Sequence, residues 1–406
     1  MELKQEYYGN VWISPNEKSF SVLKIEENNI KLVTGLNIAY HERHVEFIYG
    51  SFQGLGYVTF INNMIIGATY FSPQKITLLP KYLITSKTEI KSVEGVLSGN
   101  QFHIENPEFN EVLKFFPSLD FENDIKISVE DFQYSYKFDD GLQISFKNEK
   151  SSYINVAIAK FENLACLKFD SEKNIGIGII KSKYNDFLNL FALLMGRRGQ
   201  FTKFSFKDSL SESWLRFYYI DELAGKSESG LYTIDVGENK HELHAIFKNW
   251  FQNDKLRLCC DSFFDNLLGL NASTNSRFTN SFSTLEGFIK NFIKGKIRNV
   301  EYYLKSEKSL LQNMTGTNSD EADKVIDRLI KLRNKIVHKN IVPDLNPTEI
   351  ETLYDSMILD YLFLYKVYKI LEVNEKELNR LILFAKQNYT HSKSINEYLY
   401  SDYFNP

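Results

Sequence analysis

Residues 327–340 read D-R-L-I-K-L-R-N-K-I-V-H-K-N, the last turns of an amphipathic helix. At about 100° per residue, Val325, Ile326, Leu329, Ile330, Leu332, Ile336 and Val337 fall into one apolar arc with Arg333 in its middle. An arginine there needs a carboxylate, phosphate or carbonyl partner, because an unpaired buried charge is costly. The spacing thus assigns Arg333 to a core, an interface or a cleft rather than to a solvated face. His338 lies about 140° round the wheel from Arg333, so one straight helix presents the two poorly to a single atom; a bend or a second chain would let them cooperate. Ile341-Val342-Pro343 ends the helix, since the residue before proline is driven out of the α region. His338 then sits in the last turn, where the helix dipole favours imidazolium.

Outward from this stretch the pattern stays helical. Residues 277–293 carry an apolar stripe of Phe278, Phe282, Leu285, Ile289, Phe292 and Ile293, introduced by capping residues at 271–276. Glu286 falls about 20° beyond Ile293, which places a carboxylate where a neighbouring helix could offer it Arg333. Helices are also expected at 243–251 and 256–268, with a less regular connection at 299–319. Asp320 and Glu321 then open the helix of the central stretch. Asn346-Pro347-Thr348-Glu349 reads as a helix start with asparagine as cap, and Asn374 caps a last helix through 385, after which the tail shows no period. The most apolar helix, 350–371, contains Asp355, Asp360, Lys366 and Lys369, so it is a core helix and not a membrane span. Five or six helices in a bundle are the economical architecture from 241 to about 388.

From 7 to about 180 the pattern changes to short β-type runs separated by turn residues, among them 11–13, 20–25, 45–49, 76–79, 142–146, 153–158 and 175–180. Asp139-Asp140-Gly141 signals a hairpin, because aspartate and glycine tolerate positive φ. A short helix is possible at 109–116, and a strong one at 184–195 is stopped by Gly196. Arg197 and Arg198 follow, placed to meet that helix's last carbonyls or a phosphate. Strand-like runs at 201–206 and 215–220 continue the mixed region up to a polar stretch at 224–239. The fold class is therefore α+β: a β-rich domain at 1–237, as a sandwich or strongly curved sheet, followed by an all-α domain at 238–406. His41 and His44 with Glu42 and Glu46 would need helical spacing to converge on a metal, yet 45–49 alternates like a strand, which favours a solvated edge. Tyr7, Tyr8 and Trp12 offer rings for stacking, though sheet aromatics more often pack.

The chain has 406 residues and a net charge of -4, so nucleic acid would be drawn to it only through a local patch. Such a patch exists on paper: Arg328, Lys331, Lys335 and Lys339 surround the central motif. Three cysteines, two of them adjacent, form neither a disulfide framework nor a spaced metal site, which fits a reducing cytoplasm. The first residues lack a charged segment followed by an apolar one, so no export signal is expected. Neither H-E-x-x-H, nor a phosphate-binding P-loop, nor a clustered acidic metal site is present.

Arg333-Asn334 followed by His338 resembles the motif of HEPN ribonucleases, in which an arginine and a polar residue precede a histidine by a few positions within an all-helical domain. Arginine-to-histidine spacings of this kind also arise by chance in a chain with ten arginines and seven histidines, so the helical context carries the weight. The helix R-F-T-N-S-F-S-T-L-E-G-F-I-K-N-F at 277–292, together with the β-rich first half, is similar to the ApeA-type anti-phage proteins. The resemblance implies an abortive-infection nuclease, homodimeric through its helical domain, that cuts host RNA, with tRNA among the candidate targets. It also implies a sensing role for the N-terminal domain toward a phage-derived trigger, with neither membrane nor cofactor. In that reading His338 is the general base or acid, Arg333 stabilises charge on the phosphate, Asn334 orients and Glu286 holds Arg333. Arg328, Lys331, Lys335 and Lys339 would bind RNA. The competing readings are a non-catalytic helical module that binds RNA or protein beside a ligand-recognising β domain, and a solvated helix whose Arg333 forms only a core salt bridge.

Overall fold

The computed structural model describes residues 5–26, 29–39, 42–69, 75–87, 98–105, 118–120, 126–128, 132–154, 159–196, 203–207, 214–219, 234, 242–267, 273–294, 299–336 and 348–399. The helix expected at 109–116, Arg197, Arg198, His41, His338 and Lys339 lie outside these residues. The fold is α+β, with a sheet-rich first part and an all-helical remainder. Two compact units interleave in sequence, 1–184 with 200–225 and 185–199 with 226–406, whereas the cut read from composition at 237/238 divides the chain once.

In the first unit, β1 (Gln5–Trp12), β2 (Ser19–Glu26), β3 (Asn29–Thr34), β4 (His44–Phe52), β5 (Gly56–Thr69) and β6 (Lys75–Ser86) form a closed antiparallel ring in the order β6-β3-β2-β1-β4-β5, with β5 returning to β6. Alternation fills the ring: Val11, Leu23, Leu32, Ile48, Phe60 and Ile76 are all inaccessible to solvent. One edge of β6 runs along β5. Its other edge pairs with β3 through 76–78 and then with β14 (Leu215–Tyr219) through 82–85. Pro80, which has no N–H to donate, lies at this change of partner.

From β14 the sheet continues through β13 (Lys203–Lys207), β7 (Ser98–Glu105), β12 (Ala159–Gly176), β11 (Gln143–Ile154) and β10 (Gln133–Lys137), twelve strands in all; β8 (Ser118–Asp120) and β9 (Lys126–Ser128) form a separate pair. Phe102, Phe204, Phe206 and Phe217 share one buried face of this extension, with ring centroids 5.3–5.9 Å apart for neighbouring rings. The expected hairpin joins β10 to β11: Gly141 has φ +86°, Phe138 N–H donates to Leu142 O at 2.8 Å, and Leu142 N–H donates to Asp140 Oδ1 at 3.0 Å. Of the aromatics, Trp12 is buried under Lys18, whereas Tyr8 stacks on Phe20 at the surface. His44 and Glu46 lie exposed on β4, a solvated strand face.

The strand expected at 175–180 stops at Gly176, and helix α1 (Ile177–Met195) begins at once. Ile177 and Ile180 are buried while Gly178 and Ile179 are exposed, so a three-residue period takes over from alternation. Gly196, at φ +68°, closes this helix with its N–H on Ala192 O.

The second unit holds the end of α1 and helices α2 (Leu243–Gln252), α3 (Asp254–Leu267), α4 (Thr274–Phe292), α5 (Val300–Ser306), α6 (Lys308–Thr315), α7 (Ser319–Ile336), α8 (Glu349–Ile370) and α9 (Glu375–Leu399). Trp250 donates to Asp186 O at 2.8 Å and Tyr368 to Leu193 O at 2.7 Å, which fastens the end of α1 to α2 and α8. α8 is buried nearly all round, as a core helix should be. Three expectations need correction. The connection at 299–319 is two helices, α5 capped by Asn299 and α6 closed by Gly316 at φ +70°. The cap of α8 is Thr348 rather than Asn346: its hydroxyl accepts from Glu351 N–H while the Glu351 carboxylate accepts from Thr348 N–H. α9 runs on to Leu399, because its mostly exposed last turns need no apolar period.

Candidate functional site

α7 starts on an asparagine box, with Asn318 Oδ1 accepting from Glu321 N–H at 3.0 Å, and carries Asp320 and Glu321 in its first turn. It buries Ala322, Val325, Ile326, Leu329 and Leu332. Ile330, Arg333 and Ile336 are half-buried, so Arg333 sits at the margin of the apolar arc rather than at its centre. From there its guanidinium crosses to α4, where Glu286 Oε1 accepts from Nε at 2.8 Å and also from Nη2. The Phe282 ring, one turn earlier on α4, lies 5.6 Å from the guanidinium carbon. The pair is partly open to solvent, at 26% for Arg333 and 38% for Glu286. Among the described residues Nη1 makes no hydrogen bond, which leaves a donor for an incoming oxygen.

Asn334 and Lys335 are half-buried and Lys331 is exposed. Arg328 is differently placed. Its Nε and Nη2 grip both oxygens of Asp355 on α8 at 2.8 and 2.5 Å, and Tyr354 and Tyr389 flank it. Burial pushes the fully covered Asp355 carboxyl up and Arg328 pulls it back, while that carboxylate outweighs burial to raise Arg328. A third pair joins α4 to α8. Asp360, also fully buried, accepts from Asn266 at 3.1 Å and from Arg277 at 3.4 Å, and burial raises its carboxyl against their pull. Sequence reading identified Glu286 as the partner of Arg333 but missed these two pairs. The signal was two carboxylates inside the most apolar helix, each of which required a cation.

A cleft of about 520 Å³ opens beside the motif. Leu332 and Ile336 line it from α7 with Lys335; Ser273, Thr274 and Asn275 line it from the start of α4, and Glu349 and Thr352 from the start of α8. The sequence held a trace of it in two cap signatures, S-T-N at 273–275 and T-E-I-E at 348–351.

Among the described residues one group has the composition of a metal site, His103, Glu149 and Cys166 on β7, β11 and β12. Lys168 pairs with Glu149, Lys147 lies 3.7 Å from it, and burial pushes the Cys166 thiol up to about 12. A cation would have to displace two ammonium groups and deprotonate a resistant thiol, so this donor set fits a metal poorly. No helix among the described residues is long and apolar enough to cross a membrane.

A β-ring with a long sheet extension, followed by helices that present an arginine clamped by a carboxylate, defines a two-unit protein with its candidate chemistry in the helical part. The model of the ApeA N-terminal domain 1 matches residues 6–250, and the chain belongs to the ApeA family, whose setting is anti-phage defence. The match ends before α4 and α7, so the Arg333 site stands outside it. No curated protein and no solved structure matches the chain.

Proposed function

We propose that the chain is a HEPN-type endoribonuclease of anti-phage defence that cuts host RNA, tRNA being one candidate, without a metal. The observation that carries this reading is Arg333 in the last turn of α7, held by Glu286 with one nitrogen to spare and followed five residues later in the sequence by His338. Family membership supports the defence setting.

The chemistry follows from the residue types. His338 takes the proton of a ribose 2′-OH, whose oxygen attacks the adjacent phosphorus, or gives a proton to the departing 5′-oxygen. Arg333 stabilises the charge that builds on the phosphoryl oxygens and Asn334 orients the phosphate. The products are a 2′,3′-cyclic phosphate and a 5′-OH end. Lys331, Lys335 and Lys339 supply phosphate contacts, whereas Arg328, committed to Asp355, braces α7 against α8. Two chains meet through their helical parts, and the N-terminal unit responds to a phage-derived trigger.

Purified protein should cut RNA in excess EDTA and leave DNA of the same sequence intact, because the ribose supplies the nucleophile. Activity abolished by chelation and restored by magnesium would reject the mechanism.

A further inference from the structure

Among the described residues, the cleft beside the motif is lined by one cation, one carboxylate, a set of short hydrogen-bonding side chains and an aliphatic floor. Its volume, about 520 Å³, is that of a small-ligand pocket. Lys335 and Glu349 bring opposite charges to the cleft from different helices, which suits a ligand that carries both an anionic group and hydrogen-bond donors. Asn275 and Thr274 supply further polar atoms, and half-buried Ile336 offers apolar surface to a flat or puckered ring. A nucleoside monophosphate has the matching parts: a phosphate for the ammonium, sugar hydroxyls or a base amino group to donate to the carboxylate, and a ring for the floor. Leu332, Lys335 and Ile336 belong to the same last turns of α7 as Arg333, which itself does not line the cleft.

We propose that this cleft is a ribonucleotide subsite, seating one nucleotide of the RNA next to the one that is cut, with its phosphate at Lys335 and its donor groups at Glu349. The assignment rests on the nuclease reading above and deepens it. It makes the cleft a determinant of which RNA sequence is chosen, through contacts that take no part in bond cleavage.

The test titrates the full chain with each of the four ribonucleoside 3′-monophosphates and their parent nucleosides by calorimetry. It compares the wild type with Asn275→Trp, which fills the cleft from an exposed position, and Lys335→Gln, with thermal melts as the folding control. At least one monophosphate should bind saturably, at least tenfold more weakly to Asn275→Trp. Lys335→Gln should weaken that monophosphate several-fold and leave its nucleoside unchanged. Absence of binding by all four, or unchanged binding in both variants, overturns the subsite. Should Asn275→Trp melt early, Lys335→Gln alone decides, through the contrast between monophosphate and nucleoside. If RNA is cut in a His338-dependent way while no monophosphate binds, the subsite falls and the nuclease reading stands. If a monophosphate binds as expected but no RNA is cut, the site holds and the nuclease reading falls.

Discussion

Arg333 combines two properties that a charged side chain on a helix rarely has together. Phe282 and the apolar arc shield it, yet a quarter of it remains open to solvent, and a single carboxylate oxygen engages Nε and Nη2. In the proposed nuclease reading, shielding would strengthen what the guanidinium does to a nearby phosphate, and the clamp would fix where it does it. Glu286→Gln keeps the shape and removes the charge that holds the clamp. RNA cleavage should fall on the order of tenfold, with a stability change of about 1 kcal/mol or less for so exposed a pair. Full activity in Glu286→Gln beside an inactive Arg333→Ala would show that Glu286 does not position Arg333. This contact was legible in the sequence because both partners departed from an apolar stripe, one in its arc and one at its edge. The half-buried setting of Arg333 was not, since a helical wheel carries no information about how far a neighbouring helix extends.

Helices α4, α7 and α8 are tied pairwise by three arginine–carboxylate links: Arg333–Glu286, Arg328–Asp355 and Arg277–Asp360. The two carboxylates on α8 are wholly buried whereas Arg328 and Arg277 remain 26% and 23% open, so removing either carboxylate empties a core position and leaves a partly shielded guanidinium without its charged partner. Asp355→Ala should therefore lower the unfolding free energy by about 3 kcal/mol, against about 1 kcal/mol for Glu286→Ala. Equal losses in chemical denaturation would contradict this ranking. From the sequence, Asp355 and Asp360 served only to exclude a membrane span, because their partners lie at least 27 residues away and local periodicity cannot pair distant helices. The same limit explains the boundaries. Thr348 takes the cap with Glu351 at the reciprocal position, a spacing that Asn346 and Glu349 offered equally in the sequence, and α9 outruns its apolar stripe with its last turns tied by Thr348 Oγ1, which donates to Asn396 Oδ1 at 2.6 Å, and by the Lys393–Glu397 pair.

At the scale of the whole molecule, alternation and turn residues revealed the strands, and the helical second half was plain from period alone. The closed ring was not, since closure depends on β5 pairing with both β4 and β6 and on β6 being long enough to pair with β5, β3 and β14, a property of partners rather than of either sequence. In the proposed nuclease reading, function at this scale turns on a second copy. The wheel sets His338 about 140° from Arg333, and two α7 helices related by a twofold axis would place an arginine and a histidine from different chains round one phosphate. Mixing inactive Arg333→Ala and His338→Ala chains should then restore cleavage in the heterodimer, which retains one intact pair. A monomeric fraction that cleaves at full rate would defeat the shared site.

If the chain is a nuclease of the proposed kind, its cleavage of RNA depends on the imidazole of His338. Wild-type protein and His338→Ala are induced in bacteria and the ends of cellular RNA are sequenced, after both proteins are shown to melt within about 1 kcal/mol of each other. New 2′,3′-cyclic phosphate and 5′-OH ends should appear at defined sites with the wild type and none with His338→Ala. The same ends at the same yield from a folded His338→Ala protein would contradict that dependence.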